Sequence, residues 1–254
     1  MIEIEGLRAG YGSLDILRGV DLRVRPGTVS CIIGPNGAGK STVLKTISGL
    51  LRASAGRILV DGADVTELAP KELLRAGIAQ VPQRHGLFPT LTVRQNVELG
   101  AYALGLSRRE VAGRYDELAT SFPQLSTRPN IPASLLSGGQ RRTVEFARAL
   151  IIRPRVVLLD EPTLGLDPHS LDLIDDSIRR MTASGVTVLM VEQNVRFGLG
   201  LADDAVLVSA GRVAVAGTAS EMESDPNLMD WFFGDAVPEA SGATASGAIE
   251  GERS

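Results

Sequence analysis

Nine residues, GPNGAGKST at positions 34–42, constrain this chain more than any other stretch. Their spacing is G-x-x-x-x-G-K-[ST], with Gly34, Gly39, Lys40 and Ser41 in the fixed places, and they follow the apolar run 29–33. The expected order is strand, tight loop, helix. Gly34, Gly37 and Gly39 let the backbone turn with its N–H groups inward, Asn36, Ala38 and Thr42 complete the loop, and the helix opening at Lys40 adds the positive end of its dipole. The loop reads as an anion cradle for a nucleotide. Lys40 is expected to reach the β and γ phosphates, and the Ser41 hydroxyl to ligate the Mg2+ that bridges them. A glycine-rich turn that binds nothing could share the spacing; the flanking strand and helix favour binding.

Residues 156–162, VVLLDEP, read as an apolar strand ending in two carboxylates. A buried parallel strand delivers its C-terminal end to the ligand crevice of an open α/β sheet. Asp160 is then placed to hold Mg2+ through water, and Glu161 to act as general base toward an attacking water. Acidic residues also cap strands without doing chemistry, so the phosphate loop upstream decides between the two readings. Just before this strand stands LSGGQ at 136–140, ahead of a helical stretch expected over 140–152. Ser137, Gly138 and Gly139 thus offer a second helix N-terminus to an anion.

These motifs together resemble the ATP-binding subunits of ABC transporters, over about residues 2–234. The resemblance implies an α/β fold of the P-loop NTPase type, with a central mixed sheet, an antiparallel β edge subdomain and an α-helical insertion. It implies ATP hydrolysis coupled to transport, with ATP and Mg2+ as cofactors. Two chains would close head to tail, so that Ser137 and Gly139 contact the γ-phosphate held by the other chain. Tyr11, expected in the turn after the first strand, matches the aromatic that stacks on adenine, which is chemically reasonable because a base offers a π-face. Gln83 matches the glutamine that touches Mg2+ and the water and relays nucleotide state to the membrane partner. Asp167 matches the loop aspartate that crosses the dimer interface.

Gln193 departs from the family pattern, which usually has histidine there. Glutamine keeps donors and an acceptor but cannot become cationic, so hydrolysis is expected not to need an imidazole. Neither histidine substitutes: His85 follows Gln83 and His169 follows Asp167-Pro168, and both read as surface or interface residues. The phrase Val191-Glu192-Gln193-Asn194 is similar to the ATPase subunits of branched-chain amino acid importers and their urea or amide relatives, as are residues 87–93, 96–102 and 4–12. The expected partners are a second ATPase chain, identical or paralogous, integral membrane permease subunits and, indirectly, an extracytoplasmic substrate-binding protein.

A chain of 254 residues accommodates one α/β domain with an insertion better than two independent domains. One nucleotide-binding domain is expected over 1–234, with 1–83 and 154–234 as its nucleotide core and 84–153 as a helical subdomain. In the last of these, Ser107 marks a helix start. The tail 235–254, mostly Ala, Ser, Gly and Glu, is expected to be disordered. Leu87, Phe88 and Leu91 are expected either to line a groove for a permease helix or to be internal to the insertion.

The longest apolar runs are strand-length, far short of the ~20 residues a membrane helix needs. Residues 1–5 alternate like a strand rather than opening a leader. A cytoplasmic protein, peripheral on the inner face of the membrane, is expected. With 26 basic against 30 acidic residues and no basic block, nucleic acid is not an expected partner. The pairs Arg108-Arg109, Arg141-Arg142 and Arg179-Arg180 read as solvated faces or pair partners. Cys31 reads as a small core hydrophobe. Export stands as an alternative to import, because exporters use the same cassette. Two rival classes remain: a non-transport ABC ATPase of translation or DNA repair, disfavoured by the single phosphate loop, and a nucleotide sensor with little turnover, disfavoured by Glu161.

Overall fold

The computed structural model describes residues 1–84 and 86–233. The tail 235–254 and His85, each given an expectation above, lie outside the described residues. The chain runs β1 (Ile2–Tyr11), β2 (Leu14–Val24), β3 (Val29–Ile33), α1 (Lys40–Ile47), β4 (Ala55–Val60), β5 (Ala63–Asp64), α2 (Pro70–Arg75) and β6 (Ile78–Val81). It continues through α3 (Val93–Leu99), α4 (Arg108–Ser121), α5 (Pro123–Thr127) and α6 (Gly138–Leu150). Then follow β7 (Val156–Asp160), α7 (Pro168–Ala183), β8 (Thr187–Val191), α8 (Val195–Leu201), β9 (Asp204–Ser209), β10 (Arg212–Thr218), α9 (Ala219–Ser224) and α10 (Leu228–Phe233).

Six strands form a mixed sheet in the order β10-β9-β3-β8-β7-β6, parallel except for the β9–β10 hairpin. Every residue of β3, β7 and β8 is buried, which is why these strands are continuous apolar runs without alternation. Their side chains still divide by face. Cys31, Ile33, Val157 and Leu159 join one core with α3, α6 and α7, whereas Ile32, Val156 and Leu158 join another with α1 and a second sheet. That second sheet is antiparallel, ordered β2-β1-β4-β5, and its β4–β5 turn uses Asp61 and Gly62 at positive φ, as a tight hairpin requires. The expected fold, a mixed sheet with an antiparallel β layer and inserted helices, is the observed one.

Between β6 and β7 the described residues form helices and one isolated antiparallel bridge, Thr92 with Pro132. α4 opens at Ser107, whose hydroxyl accepts from Glu110 N while the Glu110 carboxylate returns to Ser107 N, a reciprocal cap worth about 1 kcal/mol. α6 starts at Gly138, two residues earlier than expected, because Ser137 and Gln140 make the same reciprocal cap. Among the described residues, no helix is long and apolar enough to cross a membrane. One expectation needs correction. Tyr11 is the last residue of β1, paired with Leu14, rather than part of the turn beyond it. Of the two readings given for Arg142, solvated face or pair partner, the second holds: it is buried at 1% exposure and pairs with Glu145.

Candidate nucleotide site

Four parallel strands, β3, β6, β7 and β8, end at the same edge of the mixed sheet, and each is followed by a segment that carries predicted site residues. After β3 comes the phosphate loop. Gly34 has φ 147°, and a Cβ there would lie 2.1 Å from the Val208 carbonyl oxygen, so only glycine lets the loop leave the strand this close to β9. Asn36 and Gly37 stand exposed at the loop tip, with Ala38 and Gly39 buried behind them. α1 begins at Lys40 with no side-chain cap, which leaves its first-turn N–H groups, including those of Ser41 and Thr42, to other partners.

Lys40 is 5% exposed, and its Nζ donates to the Gly34 and Pro35 carbonyls at 2.7 and 3.0 Å. Burial lowers its pKa, against the opposing pull of Glu161 and Asp160. The Ser41 Oγ donates to Asp160 Oδ1 at 2.7 Å, joining the start of α1 to the end of β7. Burial raises the Asp160 pKa, and the Ser41 bond acts the other way. A hydroxyl and a carboxylate converging here are hard oxygen donors, and so fit a divalent Mg2+ completed by phosphate oxygens and water.

Glu161 follows with a left-handed backbone, φ 46°, uncommon for a residue with a side chain. Its N–H donates to Val191 O at 2.9 Å, and its carboxylate accepts from the Gln83 side-chain amide. Gln83, two residues past β6, is thus brought to the end of β7. Lys40, Ser41, Gln83, Asp160 and Glu161 form one cluster, linked by these bonds and by the charge interactions of Lys40.

Ser137, Gly139 and Asp167 form a second cluster. Asp167 caps α7 by accepting from Ser170 N at 3.1 Å and Ser170 Oγ at 2.7 Å. A Cβ on Gly139 would lie 2.7 Å from Ser170 Oγ, so glycine is what allows the starts of α6 and α7 to touch. Among the described residues, no hydrogen bond joins this cluster to the first. His169 is exposed in the first turn of α7. Gln193 is exposed beyond β8. Tyr11 is half exposed, with Lys45 Nζ 3.5 Å from its hydroxyl and 6.0 Å from the ring centre.

Sequence reasoning missed a buried clamp on the Gln83 segment. Arg142 donates to the carbonyls of Pro82 and Gln83 and to the Glu145 carboxylate, each at 2.9 Å. Glu145 in turn accepts from Gly86 N at 2.7 Å, and Arg148 donates to Gly86 O. The helix capped by Ser137 therefore grips the loop that carries Gln83. An Arg and a Glu three residues apart on a helix was the available signal, but it equally describes a surface pair.

Comparison with known proteins follows the same lines. The family model described as ABC transporter matches residues 17–164. The chain is 39% identical to the probable branched-chain amino acid transport ATP-binding protein LivF of Archaeoglobus fulgidus, over 87% of this chain and 94% of that protein. It is 35% identical to the lipopolysaccharide export system ATP-binding protein LptB of Acidithiobacillus ferridurans, over 92% and 97%. Among solved structures it is similar to the ADP conformation of an ATP-binding cassette of an ABC transporter, with TM-score 0.83 and 28% identity over 92% and 98%. A dimeric cassette in a post-hydrolysis state, bound to ADP and Pi, gives TM-score 0.74 and 27% identity over 86% and 99%.

Proposed function

The chain belongs to the ABC transporter family as one of its ATPases, and we propose that it energises an importer of branched-chain or other hydrophobic amino acids. The observation that carries the amino-acid reading is the similarity to LivF along nearly its whole length. A second reading, export, is favoured by the comparable similarity to LptB, and a urea or amide importer is the third.

In this proposal each ATP lies between the phosphate loop of one chain and the Ser137–Gly139 segment of a second chain, identical or paralogous. The lack, among the described residues, of any hydrogen bond between the two clusters supports it, since nothing ties the Ser137–Gly139 segment to the phosphate loop of its own chain. The N–H groups of residues 34–42 and the Lys40 ammonium hold the phosphates. Tyr11 stacks on the adenine. Ser41 and Asp160, with Gln83, would hold Mg2+, which would supply positive charge against the phosphates. Glu161 accepts the proton of the attacking water, and Gln83 orients that carboxylate. From the other chain, Ser137 accepts from Gln140 N and so keeps its hydroxyl proton for a γ-phosphate oxygen. Gln193 contacts the γ-phosphate through an amide that stays neutral at every working pH. Asp167 faces the partner cassette. Catalysis of this kind is mostly positioning and charge stabilisation, so closure completes the site.

The chain sits on the cytoplasmic face of the membrane, and Phe88 docks a permease helix. Support for this comes from the loop itself. Asn96, fully buried, accepts from Phe88 N and donates to the carbonyls of Phe88, Leu91 and Thr92, which pins the loop while Phe88 stays 51% exposed. Leu87 turns inward onto the core instead.

Affinity purification of the chain from detergent-solubilised membranes of its host tests the assignment. Co-purifying integral membrane subunits with an amino-acid-binding protein support import. Lipopolysaccharide-handling partners favour export, and exclusively soluble partners contradict both.

A further inference from the structure

One buried acid has no part in the mechanism above. Glu192 follows β8 directly and is 1% exposed. Its Oε1 accepts from Thr163 N at 3.1 Å and Thr163 Oγ1 at 2.9 Å. Its Oε2 accepts from Gln193 N at 3.1 Å and Asn194 N at 3.3 Å, and lies 3.0 Å from the same threonine hydroxyl. The packing around it is tight. A Cβ on Gly198 of α8 would come within 2.8 Å of Cys31 Sγ and 3.3 Å of the Glu192 Cβ, so α8 closes over the acid only because position 198 is glycine.

Burying a carboxylate is costly unless its oxygens are filled by donors, and here both are. The donors come from two places. Thr163 stands two residues beyond Glu161 on the loop leaving β7; Gln193 and Asn194 belong to the loop leaving β8. These loops carry the base and the γ-phosphate contact of the proposed mechanism. Among the described residues, no other side-chain hydrogen bond joins the two loops.

We propose that Glu192 is a positioning residue for hydrolysis, a buried strut that fixes the loop of Glu161 against the loop of Gln193. This rests on the reading of Glu161 as base and Gln193 as the γ-phosphate contact. A strut of this kind acts on the reacting geometry more than on binding, because the Lys40 loop holds the phosphates independently of it. Replacement by glutamine keeps shape and volume but presents an NH2 to N–H donors that need an acceptor, so one of the two loops loses its anchor.

The test is Mg-ATP hydrolysis by the full chain in Glu192→Gln, Thr163→Val, Thr163→Ser and the Glu192→Gln/Thr163→Val double variant, with Glu161→Gln as reference. Nucleotide affinity and thermal midpoint are measured alongside. The expected result is a fall in kcat of about 10- to 100-fold for Glu192→Gln and Thr163→Val, with KM within about twofold. Thr163→Ser, which keeps the hydroxyl, should stay near the wild type, and the double variant should lose no more than the worse single one. Native kcat in Glu192→Gln overturns the inference while Glu161→Gln is inactive, leaving the mechanism intact. Parallel losses of kcat, nucleotide affinity and thermal midpoint also overturn it, since they describe a fold-stabilising acid only. Native turnover in Glu161→Gln removes the base assignment and this inference together.

Discussion

The Gln83 side-chain amide donates to the Glu161 carboxylate at 2.5 Å, across 78 residues of sequence. One end of the bond sits on a loop gripped by α6 and the other at the end of β7, so the inserted helices are connected to the proposed base through hydrogen bonds. Gln83→Ala should therefore lower kcat by about tenfold or more while leaving KM for ATP nearly unchanged. Steady-state kinetics across ATP concentration checks this; an unchanged kcat with a raised KM would assign Gln83 to binding instead.

The buried Arg142–Glu145 pair predicts a stability effect. Their side chains are 1% and 0% exposed, and Arg142 also carries two backbone carbonyls of the Gln83 loop. Arg142→Met leaves the Glu145 carboxylate without this partner in the core. The expected loss is about 3–5 kcal/mol in urea unfolding. A change below about 0.5 kcal/mol, the size seen for surface substitutions, would contradict the buried clamp.

Phe88 is expected to matter only in the assembled transporter. Phe88→Asp should abolish transport while the purified chain keeps its ATPase rate and thermal midpoint, because the side chain is half exposed and its loop is held by Asn96. Loss of soluble ATPase activity together with transport would instead make Phe88 part of the fold.

Cys31 supplies the pH dependence. Burial is the largest influence on its thiol and raises the pKa well above the ordinary range, with Glu192 acting in the same direction. The unfolded chain ionises at about pH 8.5, whereas the folded chain keeps the proton. Its contribution to stability is present below that pH and is lost as pH rises toward the folded value, at up to about 1.4 kcal/mol per unit. Wild type minus Cys31→Ala, followed by urea unfolding from pH 7 to 10, should show this decline. Thiol reagents at pH 8 should label Cys31 only on unfolding, and rapid labelling of the folded chain would contradict the burial.

Much of the fold was legible because its signals are local. The runs at β3, β7 and β8 are continuous because both faces of the sheet are covered, and the cap at Ser107 is written in four consecutive residues. The fixed spacing of Gly34, Gly39, Lys40 and Ser41 located the phosphate loop for the same reason. What escaped was charge buried by tertiary packing. Arg141 and Arg142 look alike in sequence, yet one step along a helix turns a side chain by about 100°, and only the second points wholly inward. Glu192 was read as part of a phrase because nothing local reveals that Thr163 waits beside it. The likeness to both LivF and LptB has a similar origin: residues that handle ATP do not encode what the membrane subunits carry.

The central claim, a two-chain ATP site with Glu161 as its base, is tested most directly by size-exclusion chromatography of Glu161→Gln with Mg-ATP. The account predicts a stable dimer retaining two ATP per pair and turnover reduced by about 100-fold or more. A monomer that hydrolyses ATP at the native rate would contradict it.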